Sequence, residues 1–78
     1  MKSMTCKQLG GACNKVFTAE TFEEMADLSK QHGMEMYQQK DKAHLIAMEK
    51  IQVLMASPEK MKEWFTARKE EFNALPNL

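Results

Sequence analysis

The chain has 78 residues, 11 of them Lys or Arg and 11 Asp or Glu, for a formal net charge of zero. That length fits a single domain, residues 1–78, and the balanced charge removes any global electrostatic pull toward nucleic acid or an anionic membrane surface. A core this small supplies about 3–5 kcal/mol, so a metal, a disulfide or a second copy is the expected supplement.

Met1 to Gln8 lacks the apolar h-region of a secretory signal, and no run reaches the ~18 apolar residues of a membrane span. The expected compartment is the cytoplasm, where disulfides are rare. Residues 2–8 and 13–19 read as two short strands. Met4 and Cys6 alternate with Ser3 and Thr5 in the first, and Val16-Phe17-Thr18 gives the second a β-type composition. Gly10-Gly11 between them suits a tight hairpin turn. Thr21-Phe22-Glu23-Glu24 is a capping-box signature opening a helix with Phe22, Met25, Ala26 and Leu28 on one side. This helix is expected to stop at His32, with Gly33 in the left-handed C′ position. Met34 to Lys40 reads as a polar connector, with partial helix as the alternative.

Residues 42–56 carry His44, Met48, Ile51 and Met55 on one narrow helical face. Ser57-Pro58-Glu59 then ends one helix and caps the next. The last helix, about 58–74, places Met61, Trp64, Phe65, Arg68, Phe72 and Leu75 on one stripe, and Pro76 ends it. The expected fold is α+β: an N-terminal two-stranded β-hairpin followed by three α-helices, the last two an antiparallel helical hairpin.

Cys6 and Cys13 flank the expected turn, so a hairpin brings their sulfurs together. The chain has only two histidines, His32 and His44, and two cysteines plus two histidines complete a zinc-type ligand set. Each residue also has a plainer reading. A cysteine packs well as a small buried hydrophobe. His32 in a last helical turn is favoured by the helix dipole, and His44 on an apolar face fits a satisfied core histidine. Met34 and Met36 follow His32-Gly33 closely, and their soft sulfurs make Cu(I) a competitor to zinc. The other methionines suit core filling, and Glu59, Glu63, Glu70 and Glu71 a solvated face.

Catalytic patterns are absent. There is no P-loop, GxSxG or HExxH pattern, and Glu23 and Glu24 diverge around their helix. The reading is therefore a small metal-binding protein with a structural zinc-type site and no catalysis. An alternative is a helical interaction or homo-oligomerisation module through residues 42–75, anchored by Trp64 and Phe65. A second alternative is a thiol redox protein using Cys6 and Cys13, whose spacing is not Cys-x-x-Cys.

The segment Cys6-Lys7-Gln8-Leu9-Gly10-Gly11-Ala12-Cys13, then Thr21-Phe22-Glu23-Glu24, then His32-Gly33, resembles a small bacterial family, domain of unknown function 1059. Its members are described as predicted small metal-binding proteins. The resemblance covers about residues 1–34 and implies Cys6, Cys13 and His32 as ligands, with 35–78 a helical extension. Gln8 and Ala12 stand where the family pattern has aspartates, and Asp27 where its first histidine would fall. The fourth ligand is left between His44, Asp27 and water.

Overall fold

The computed structural model describes residues 1–77. Strands β1 (Lys2–Thr5) and β2 (Val16–Ala19) pair antiparallel, with Met4 opposite Phe17 and Ser3 opposite Thr18. Alternation sends Met4, Phe17 and Ala19 into the core. Ser3 and Thr18 share a hydroxyl hydrogen bond of 3.2 Å on the other face.

The strands are shorter than the expected 2–8 and 13–19. Residues 6–15 form a compact loop in place of a tight double-glycine turn. A 3₁₀ turn over Lys7–Leu9 ends in Gly10 at φ 93°, a left-handed backbone that glycine adopts without strain. The Gly11 N–H then donates to the Cys6 carbonyl at 2.8 Å, folding the loop back on itself. Pairing persists at its mouth, where the Cys6 N–H donates to the Lys15 carbonyl.

Helix α1 (Phe22–Gln38) opens as the capping box predicts, with the Thr21 hydroxyl accepting from the Glu24 N–H. It does not stop at Gly33. Met34, Glu35, Met36 and Gln38 are good helix formers, and the left-handed residue that follows the helix is Lys40, at φ 57°. His32 therefore sits in the body of α1, and the last-turn dipole reading of it is corrected.

Helix α2 (Lys42–Met55) is capped by the Asp41 carboxylate, and α3 (Pro58–Ala74) by the Ser57 hydroxyl with Pro58 in the first turn. The two-residue link between them lets α2 and α3 pack on each other, while α1 packs on β2 and α2.

The core lies between the inner face of the sheet, Met25 of α1 and Phe72 at the end of α3. Met25 is 0% exposed, a burial that contributes about 1.5–3 kcal/mol. Phe72 meets Phe22 edge-on at 6.0 Å and takes the Lys2 ammonium over its face at 5.1 Å. The expected stripes of α2 and α3 bury less than their patterns imply. Met48, Met61 and Trp64 are half-buried, Met55 and Phe65 are exposed, and the one fully buried residue of α2 is His44.

Candidate metal centre

Four side chains converge from three parts of the fold. Cys6 leaves the end of β1 and enters the core, and Cys13 closes the loop, where its carbonyl accepts from the Lys7 N–H at 3.1 Å. The Cys6 sulfur can turn inward because residue 11 has no side chain. A Cβ built on Gly11 would lie 2.1 Å from the Cys6 Sγ. His32 comes from α1 and His44 from the first turn of α2, both buried.

The Cys13 Sγ lies 3.2 Å from the His32 Nε2, and the Cys6 Sγ lies 3.6 Å from the His44 Nε2. All four ligand atoms fall within 4.8 Å of one another. A tetrahedral ion with bonds of about 2.0–2.3 Å spaces its ligand atoms about 3.3–3.8 Å apart. The two sulfur–nitrogen pairs are thus near their ligating separation, and the group has room to contract around an ion. Two thiolates and two imidazoles form the donor set of closed structural zinc sites.

Local chemistry differentiates the four groups. Burial pushes the Cys6 thiol up, whereas the Lys15 backbone N–H aimed at the Cys13 sulfur pulls that thiol down. Burial lowers His32, and its Nδ1 is buried with no hydrogen-bond partner. His44 is held the opposite way, because the hydrogen bond from its ring to Asp41 raises it and lowers Asp41 in turn. That bond places the imidazole proton on Nδ1 and leaves the Nε2 lone pair facing the sulfurs. Carboxylate-backed histidines of this kind are common metal ligands. The rings of His32 and His44 meet edge-on at 5.2 Å, and Phe17 walls His32 at 5.6 Å.

The structure clusters Cys6, Cys13, His32 and His44, all named as candidate ligands from the sequence. Of the fourth-ligand choices, Asp27 is exposed and stands outside the cluster. Two contributors escaped the sequence reading. Asp41 is legible in retrospect as a helix cap three residues before a histidine. Gly11 looked like half of a turn, and its role as the space beside a thiol has no sequence signal. Compared with known proteins, the chain matches no family model, no curated protein and no solved structure.

Proposed function

We propose that the chain is a small metal-binding protein whose site holds one divalent ion, zinc by its donor chemistry, in a structural and non-catalytic role. The observation that carries this reading is the convergence of Cys6, Cys13, His32 and His44 within 4.8 Å. Four protein ligands saturate a tetrahedral ion and leave no open position for substrate, which is why the reading is not enzymatic. The ion would tie the loop between the strands and α1 to α2, whose one fully buried residue is His44. Structural zinc contributes about 10–16 kcal/mol of apparent binding energy, more than this core offers, so the metal-free chain should be largely unfolded.

The same reading includes kinship with the small metal-binding proteins of domain of unknown function 1059, and residence in the cytoplasm. The free, unpaired thiols suit a reducing compartment, and no helix among the described residues is long and apolar enough to cross a membrane. Native mass spectrometry of the purified chain tests the proposal. One ion per chain, with helicity lost in chelator, supports it. A metal-free chain that melts cooperatively and identically in chelator removes it.

A further inference from the structure

Helix α2 packs on both α1 and α3, yet the three helices leave an apolar face open. Between them lies an open groove of about 620 Å³ that runs into the metal centre at Cys6, His32 and His44 and is walled beyond it by Phe22, Ala26 and Tyr37 of α1, Met48 and Ile51 of α2, and Phe65 of α3. An open groove of that size with mostly apolar walls leaves an exposed apolar patch of the kind that marks an interaction surface. The accessible surface tells the same story. At 5588 Å² for 9.0 kDa, it exceeds by about 700 Å² the roughly 4,900 Å² of a compact monomer of that mass. One partner in a standard interface buries about 800 Å², close to that excess.

The α1 wall of the groove carries an unexplained glycine. Gly33 lies in the helix interior, where it costs roughly 1 kcal/mol relative to alanine. Its backbone is not left-handed, and a Cβ there would meet only the Met48 Cε, at an ordinary 3.7 Å. Nothing within the chain requires it. Phe22, Ala26, Ser29, Gly33 and Tyr37 share one helical stripe with small residues at the centre and aromatic residues at the ends. Tyr37 is 64% exposed.

We propose that a second copy of the chain closes this groove, its α1 packed antiparallel on the first α1 about a two-fold axis between residues 29 and 30. That register sets Ala26 against Gly33 of the partner subunit and Phe22 against Tyr37 of the partner subunit. The stripe is self-complementary, as an isologous interface demands. The small centre lets the helix axes approach closely, and the zero net charge leaves no overall repulsion between copies. The apolar walls from Met48 and Ile51 then gain a helix to pack on, as in helix-in-groove recognition.

Sedimentation velocity and native mass spectrometry of the purified chain from ~1 to ~200 μM test the proposal. The expected result is a dimer whose dissociation constant rises at least about tenfold in Gly33→Leu and in Tyr37→Ser. Gly33→Leu separates interface from fold, because replacing a helix-interior glycine should leave the monomer's thermal midpoint unchanged or higher. A monomer throughout the range overturns the proposal, as does a dimer indifferent to Gly33→Leu. So does a dimer broken only by Val53→Glu, on the opposite face of α2, or a monomer carrying a small-molecule adduct. The spectra also report metal content. A monomer with the ion retained is a failure of this interface alone, and a dimer without metal is a failure of the metal reading alone.

Discussion

The His44 Nδ1 lies 2.5 Å from the Asp41 Oδ2, and the same oxygen accepts from the His44 backbone N–H at 3.1 Å. One carboxylate therefore starts α2 and aims a candidate metal ligand. Asp41→Ser should keep the helix cap, since serine is an equal N-cap, but lose the ring contact. Competition titration with a zinc chelator should show affinity falling about 10- to 100-fold. Asp41→Asn, which retains a side-chain oxygen acceptor, should lose less. Equal affinity in all three proteins would show that the carboxylate only caps.

Removal of any one ligand should be severe and similar in size. A quarter share of about 10–16 kcal/mol is about 2.5–4 kcal/mol, or roughly 100- to 1000-fold in zinc affinity. Cys6→Ser, Cys13→Ser, His32→Asn and His44→Asn are each expected in that range, and Asp27→Asn at the wild-type value. Isothermal titration with zinc decides this. A ligand variant that binds as the wild type does would strike that residue from the site.

Gly11→Ala should disable the site without touching a ligand. Its Cβ would fall 2.1 Å from the Cys6 Sγ, so the thiol must turn away or the loop must move. Cobalt substitution reads the outcome through the sulfur-to-metal charge-transfer band. The expected result is loss of roughly half the band intensity, one of two thiolates having left the ion. An unchanged spectrum would show that the loop accommodates the methyl group.

In the metal-free chain the two histidines shift stability with pH in opposite directions. His44 is raised above the usual imidazole value of about 6.5. Its stabilisation is full below that value and fades as pH rises through its folded pKa. His32 is lowered, so its contribution is full above the same value and fades as pH falls through its folded pKa. In His32→Asn the opposing histidine effect is gone. Residual helicity by circular dichroism should then be higher at pH ~5.5 than at pH ~7.5, given the direction of the His44 shift. Greater helicity at the higher pH would reverse the assignment. In the metal-loaded chain both histidines are engaged, and acid should instead release the ion as thiolates and imidazoles take up protons.

The sequence by itself determined the starts of α1 and α3 and supplied the candidate ligands, with the fourth left open. Thr21, Ser57 and Pro58 act through hydrogen bonds and φ restrictions spanning three or four residues, and they stand where the local signals put them. The α+β order and the approach of Cys6 to Cys13 follow from similar short-range logic. Tertiary structure decided the rest. Whether Gly33 ends or continues α1 depends on which conformation the surrounding packing favours, since glycine permits both. The place of Gly11 beside a thiol, the meeting of α1 and α2 at His32 and His44, and the groove along Gly33 all join residues distant in sequence. Periodicity shows which face of a helix is apolar, but only the packed chain fixes what that face meets.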